Sequence, residues 1–415
     1  MSEKSSTPEY KAPTGSVYDD LVKKGLRGAP LESLQQKTDD GIIRGPLSTH
    51  TSLPSLFTAQ ARTGAPLLEG RPWHIMAPVR DSSIAYANKQ ALEDLRGGAS
   101  ALRLTLGDKG IPVKNANEVK RLLDNIYTDL IPTIIAPNND IGNTELLKDF
   151  NNAHISLGLG PKTEGLAKLA KEIPETWRLI TINAARVHDT GGTEAQELAY
   201  FAASAAHAFR ILGQDAAKHI GVELTTNQDG HLSIAKLRAA RRIYDRIAEN
   251  FGVTKAPLSL HTITSKRMMQ STDPWTNMLR VMSSGFGAVI GGADYITTRP
   301  FTDAIGSATG FGHRIARNMQ LMMMEESHLG QVKDAAYGSY FHEHMTDNLS
   351  AKAWTEFQQI ESEGGLLNIE PFNARIKAAA NARKEKADPI LGVTLHALEK
   401  DSTAYREAKV RKASS

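Results

Sequence analysis

The chain has 415 residues, of which 40% are hydrophobic and 23% charged, enough for one barrel of about 250 residues plus extensions or for two smaller domains. A net charge of +3 is small for that length and gives no support to a nucleic-acid role. The absence of cysteine excludes disulfides, thiolate nucleophiles and cysteine-bound metals, and it accords with a reducing cytoplasm.

No apolar run approaches the ~20 residues of a membrane helix. The opening MSEKSSTPEYKAPTGS has no apolar signal core and reads as a flexible tail. Residues 17–70 hold the helical-looking VYDDLVKKGL and the strand-like GIIRGPL. Eight β-like runs follow, each about six residues long: HIMAPV (74–79), ALRLTL (101–106), PTIIAP (132–137), HISLGL (154–159), RLITINA (178–184), IGVELTTN (220–227), LSLHTIT (258–264) and DYITTR (294–299). Nearly continuous Ile, Leu, Val and Thr suit parallel strands buried on both faces. Between them lie amphipathic stretches at 83–96, 115–130, 193–212, 232–250 and 274–290. Eight strands interleaved with helices predict an α/β fold, a closed (β/α)8 TIM barrel with an N-terminal extension and a C-terminal helical tail. An open doubly wound sheet is the alternative, weakened because no GxGxxG or P-loop follows any strand.

Asn115 with Glu118, and Thr193 with Gln196, have capping-box spacing, and Asp273–Pro274 reads as an N-cap and first-turn pair. After Arg299 come helical stretches at 310–328 and 347–363, a basic helix at 372–387 and DPILGV; the terminal EAKVRKASS reads as frayed. Three blocks result: residues 1–70 as tail and extension, 71–330 as barrel, and 331–415 as C-terminal extension. The basic run AARRIYDR (239–246) reads as an exposed helix face. Met319 and Met322–Met324 read as gap-filling on a buried helix face.

Candidate chemistry sits at the strand ends, where barrel enzymes place it. The fifth run leads into Asn183, Arg186, His188 and Asp189, then two glycines. Arg186 offers a planar fork for a carboxylate and His188 a donor for a carbonyl oxygen. The plainer reading is a satisfied loop, with Arg186 paired to a surface acid. Glu223 is a carboxylate inside an apolar strand; it faces the mouth or pairs with a barrel Arg or Lys. His261 interrupts the seventh run, as a core histidine or a ligand contact. Arg299 ends the eighth run and could meet phosphate or carboxylate, or form an ordinary salt bridge. No metal site is expected: His342 and His344 are two residues apart, which on a helix points them away from each other, and no H-E-x-x-H is present.

Long ordered blocks resemble the adenosylcobalamin-dependent methylmalonyl-CoA mutase family over about residues 17–393. They include KTDDGIIRGPLST, RPWHIMAPVRD, ANKQALEDLRGGASALRLTL, AKLRAARRIYDRI, TSKRMMQSTDPWTNMLR, RIARNMQLMMMEESHLG and KADPILGV. In that family KTDDGIIRGPLST is similar to a segment that wraps around a partner chain. Catalytic chains carry a Tyr-His pair in a pattern like S-G-Y-H-M-Q-E-A-G-A-T; aligned on Gly191–Thr193, this sequence has Ala185 and Arg186 there. They also tend to have Glu where Ser233 stands. NAARVHDTGGTEAQEL is more similar to the small, non-catalytic chain of the heterodimeric mutases, which has a histidine matching His188. The Asp-x-His-x-x-Gly signature of the corrin-binding half does not occur in these residues.

The resemblance implies a subunit of an acyl-CoA mutase of the methylmalonyl-CoA/succinyl-CoA type, an isomerase, with this chain alone inactive. Adenosylcobalamin would come from a partner subunit, a larger catalytic or cobalamin-binding chain, in a heterodimer or a homodimer, with an acyl-CoA substrate and no membrane or nucleic-acid partner. His188 is then the candidate catalytic residue, and Asn183, Arg186, Glu223, Thr225, His261 and Arg299 the candidate substrate contacts. Ser156, Ser259, Thr225, Thr226, Thr262 and Thr264 would make room for a pantetheine arm threading the barrel, or simply pack as β-favoured residues. Two other readings stand beside this one: an active mutase barrel used with a separate cobalamin subunit, and a scaffold or regulatory barrel without catalysis.

Overall fold

The computed structural model describes residues 15–48, 71–107, 110–137, 143–386 and 388–411. Helix α1 (Gly15–Gly25) precedes a minimal antiparallel ladder of β1 (Gln36–Lys37) and β2 (Ile43–Arg44). The flexible-tail expectation for the first residues falls largely outside the described residues. Eight parallel strands then close into a barrel: β3 (His74–Val79), β4 (Ala101–Leu104), β5 (Thr133–Ile135), β6 (Ile155–Leu159), β7 (Arg178–Asn183), β8 (Ile220–Thr226), β9 (Ser259–Thr264) and β10 (Tyr295–Thr297). Each corresponds to one of the eight apolar runs. β10 pairs with both β9 and β3, so there is no open edge and the doubly wound alternative is ruled out.

The strands alternate between two apolar environments. Ile75, Leu102, Leu104, Ile135, Val222 and Leu224 join the large core between barrel and helices. Met76, Ala101, Ile134 and Tyr295 form a separate small cluster inside the barrel. Gly158 has a φ of +67°, and a Cβ there would lie 2.4 Å from the Ile135 carbonyl oxygen, so this glycine permits the register shift between β6 and β7.

Around the barrel run α2 (Ile84–Arg96), α3 (Ala116–Leu122), α4 (Asn143–Leu147), α5 (Leu166–Glu172), α6 (Ala185–Asp189), α7 (Glu194–Leu212), α8 (Ala216–His219), α9 (Gly230–Asn250), α10 (Asn277–Ile290) and α11 (Gly310–Leu321). The expected helix at 115–130 stops at Leu122, and Asn125 adopts a left-handed φ of 60° that ends the run. Asn115 caps α3 by accepting from the Glu118 amide, and Thr193 and Gln196 form a complete capping box. Asp273 caps a turn that leads into α10 three residues later than expected. α11 continues into a π-helical turn, Met322–Glu326, with Met323 and Met324 in the core and Met322 exposed.

Two further helices, α12 (Tyr340–Ser362) and α13 (Glu370–Lys386), follow, and α12 packs across α7 and α9 as a second layer. Two expectations are corrected in this part of the chain. The basic run at 239–246 is largely buried rather than exposed: Arg241 pairs with Asp294 at 3.2 Å, and Arg242 with Glu343 on α12 at 2.8 Å. The terminal segment is not frayed through Arg411. The Arg411 amide donates to the Ser307 carbonyl oxygen at 2.8 Å, its guanidinium pairs with buried Asp81, and its Cζ lies 3.8 Å above the Tyr86 ring. The extension near β1 is likewise held by its own chain: Asp40 accepts from the Ala195 amide at 3.2 Å, and Arg44 pairs with Asp229.

Candidate functional site

The lumen is crossed by one ion pair. Arg103 of β4 and Glu223 of β8 stand on opposite strands of the eight-membered ring. Nε of Arg103 donates to Oε2 at 2.5 Å and Nη2 to Oε1 at 2.9 Å, a two-pronged bridge across the barrel axis. Burial opposes the Arg103 charge, but the combined charge and hydrogen bonds of Glu223 outweigh it and raise its pKa. Closer to the N-terminal ends of the strands, His74 stacks on Tyr295 at 4.9 Å, and His261 meets the same ring edge-on at 4.8 Å. Ser259 Oγ lies 2.7 Å from His261 Nε2. Beside that layer lies a cavity of about 90 Å³, with Ser156, Arg178, His261 and Tyr295 among its walls.

The C-terminal ends of β7, β8 and β9 carry a second buried network. The α7 capping box brings Glu194 and Glu197 of its first turn inward, and Lys236 reaches them from α9. Lys236 Nζ donates at 2.7 Å to each carboxylate and at 3.1 Å to Thr225 Oγ1. Glu197 also accepts from the Thr225 amide at 2.6 Å. His188 of α6 is fully buried beside them, Nε2 at 2.7 Å from Ser265 Oγ and Nδ1 at 3.5 Å from Glu194 Oε2. Arg267 closes the loop by donating to the carbonyl oxygens of His188 and Gly192 at 3.0 and 2.9 Å.

Burial pushes the His188 pKa down to about 4, despite the nearby Glu194 carboxylate, so the ring is neutral at pH 7. Burial raises Glu197 to about 7, opposed by Lys236 and reinforced by Glu194. Glu194 is held well below the usual carboxylate range: burial opposes this, but Lys236 and His188 outweigh it. Donor atoms of His188, Glu194 and Glu197 lie within 4.8 Å of one another, a spacing that could suit a metal ion. Lys236 already supplies the positive charge between the two carboxylates.

The structure therefore brings His188 and Thr225 into one network and places Glu223 and His261 in the lumen. Asn183 ends β7 and accepts from the Arg186 amide at 3.2 Å. Arg186 is exposed, with Cζ 5.2 Å above the Tyr200 ring, and does not enter the barrel. Arg299 donates to the Thr264 carbonyl oxygen at 2.7 Å and pairs with Asp303 at 3.1 Å. The hydroxyls expected to line a tunnel are bonded internally: Ser156 to Thr181 at 2.8 Å, Thr226 to Ser284 at 2.9 Å, Thr262 to the Tyr295 carbonyl at 3.4 Å, and Thr264 to the Arg299 amide at 2.8 Å. Sequence reasoning missed Arg103, Glu194, Glu197, Lys236, Ser265 and Arg267. Arg103 carried the same signal as Glu223, a charge inside an apolar strand. Glu194 and Glu197 looked like ordinary first-turn acids.

Fold and site together define a (β/α)8 barrel whose lumen and mouth are filled by its own paired charges. The chain belongs to the methylmalonyl-CoA mutase family: the family model of that description matches residues 163–413. It is 33% identical to the methylmalonyl-CoA mutase small subunit of Streptomyces virginiae, over 91% of this chain and 68% of that one. Identity is 32% to the small subunit of Propionibacterium freudenreichii subsp. shermanii, over 76% of this chain and 54% of that one. It is 26% to the methylmalonyl-CoA mutase of Rhizobium meliloti (strain 1021), over 95% and 67%. The chain thus spans between half and about two thirds of the length of these relatives.

The family is generally adenosylcobalamin-dependent, and the mouth histidine of this chain, His188, does not fit as a cobalt ligand. His188 is fully buried, with Nε2 on Ser265 and Nδ1 3.5 Å from Glu194, so neither nitrogen reaches the surface. Among the described residues no helix is long and apolar enough to cross a membrane.

Proposed function

We propose that this chain is the non-catalytic barrel subunit of a cytoplasmic adenosylcobalamin-dependent acyl-CoA mutase of the methylmalonyl-CoA/succinyl-CoA type. It pairs with a larger chain that holds the corrin and performs the isomerisation. The observation that carries this reading is the Arg103–Glu223 bridge across the lumen. A pantetheine arm passing along the barrel axis would have to separate these buried charges, and breaking a buried pair costs about 3–5 kcal/mol. The candidate hydroxyls are bonded within the chain, so they offer the arm no ready contact. Ala185 and Arg186 stand where catalytic relatives carry a Tyr-His donor pair, and Arg186 lies outside the barrel, stacked on Tyr200.

The proposed division of labour assigns this chain stability and interface, while the partner binds substrate and cofactor. Calorimetry of the isolated chain with methylmalonyl-CoA and succinyl-CoA should give no saturable heat. Co-expression with a large mutase chain should yield a stable complex whose turnover is unaffected by His188→Gln. Acyl-CoA binding to the isolated chain, or turnover when it is mixed with a detached cobalamin-binding subunit, would overturn the assignment in favour of an active barrel.

A further inference from the structure

His342 does not meet His344, its neighbour in sequence. It meets His231, 111 residues away, across the junction of α9 and α12. His231 Nδ1 and His342 Nε2 are 3.0 Å apart. The other nitrogen of His342, Nδ1, lies 2.9 Å from Ser339 Oγ. The Phe341 ring meets both imidazoles edge-on, at 5.4 Å and 5.5 Å, which fixes their planes. His231 is exposed and lines an open cleft of about 630 Å³, bounded also by Arg44, Asp229, Phe286 and Phe341.

The geometry points to a transition-metal site at this pair, for a divalent ion of the zinc or nickel class, with water from the cleft completing the coordination. Imidazole nitrogens bind such ions at 2.0–2.1 Å, so two of them on one tetrahedral or octahedral ion stand about 2.8–3.4 Å apart. The observed separation falls in that interval. Ser339 supplies the outer partner that ligating histidines use: it accepts the Nδ1 proton and leaves the Nε2 lone pair of His342 facing His231. His231 takes the tautomer protonated on its other nitrogen, so Nδ1 is the second ligand. An ion bound here joins the start of α9, beside the barrel mouth, to the start of α12.

The test is calorimetric titration of the full chain with ZnCl₂ and with NiCl₂ near pH 7.5, alongside thermal unfolding. A single saturable site and a rise in Tm are expected. His231→Asn, a change at an exposed position, should abolish both effects, and Ser339→Ala should weaken binding about 10-fold. Absence of saturable binding to the wild-type chain would overturn the site. So would retention of the same binding in the His231→Asn/His342→Gln double variant, which would place the ion elsewhere.

Discussion

The two halves of the barrel are built differently. After β4, β5 and β6 come α3, α4 and α5, of 7, 5 and 7 residues. After β7 come the five-residue α6 and then α7 of 19 residues, and after β8 and β9 come α9 and α10, of 21 and 14. In the second half α12 lies over α7 and α9, so those helices are covered on both sides, and nearly every residue of α7 from Glu194 to Phe209 is buried. The alanines in AYFAASAAHAF suit such close packing, since small side chains let helix axes approach. Lys236, Arg238 and Arg241 are all buried in this double-layered half, each with an acidic partner. In the single-layered half an ion pair such as Lys120–Asp149 is solvated. Depth of cover decides whether a charge pair must be geometrically complete or can be loose.

The sharpest way to break this comparison is to strip a cation from the covered half. Arg238 donates to Asp334, Glu343 and Thr346 with no exposure of its own side chain. Arg238→Met should cost about 3–5 kcal/mol in urea denaturation, because buried carboxylates lose their counter-charge. A loss below about 1 kcal/mol would mean that the second layer is not anchored by this network. Lys120→Ala, the matched change in the other half, should leave the urea midpoint unmoved.

The lumen pair joins the two halves and allows a cycle. Arg103→Met alone leaves Glu223 buried without its partner and should cost about 3 kcal/mol or more, whereas Arg103→Met with Glu223→Leu should be close to neutral. Equal losses in the single and double variants would show that the pair is not isolated from its surroundings.

Acid titration sharpens the same contrast. His188 and His261 are buried and neutral, with pKa values pushed down to about 4 and about 3, chiefly by burial. The unfolded chain protonates these rings near 6.5, so their contribution is complete above that pH and is lost as pH falls towards 4 and 3. At about 1.4 kcal/mol per pKa unit, His188 can remove on the order of 3 kcal/mol and His261 on the order of 5 kcal/mol. His207, His219, His313 and His342 are lowered too and act in the same direction. Burial raises Glu197 to about 7 and Asp40 to about 6, and raises Asp245 as well; these three carboxyls work oppositely as pH falls towards their unfolded values, against six lowered histidines. Tm should therefore fall steadily below pH 6.5, with a shallower slope in His188→Gln. A Tm that holds constant to pH 4.5 would contradict the burial of these rings.

The smallest expected differences are at the caps. Thr193→Ala removes the complete box on α7 and should cost about 1–2 kcal/mol, whereas Asn115→Ala on the short, exposed start of α3 should cost about 0.5–1 kcal/mol, both read from denaturation midpoints. Equal effects would show that cover by α12 adds nothing to the Thr193 cap.

Strand existence was legible because a strand buried on both faces needs an unbroken apolar run, and all eight such runs are barrel strands. Helix lengths were less legible. The 115–130 stretch has a helical pattern, yet a left-handed Asn125 ends it after Leu122. Of the site, Glu223 stood out locally as a charge in an apolar run, and pairing with a barrel arginine was one of the two readings it allowed. AARRIYDR looked solvated because its cover, α12, lies about 100 residues further along the chain.

By itself the sequence determined the order and type of the barrel elements, two helix starts and the family blocks, all of which depend on neighbours within a few residues. Only the tertiary structure decided that Arg103 reaches across to Glu223, that Lys236 sits between two glutamates, and that His342 faces His231 rather than His344. Those pairings are set by ring closure and by a second helical layer. Distance along the chain carries no information about which charges share a buried volume.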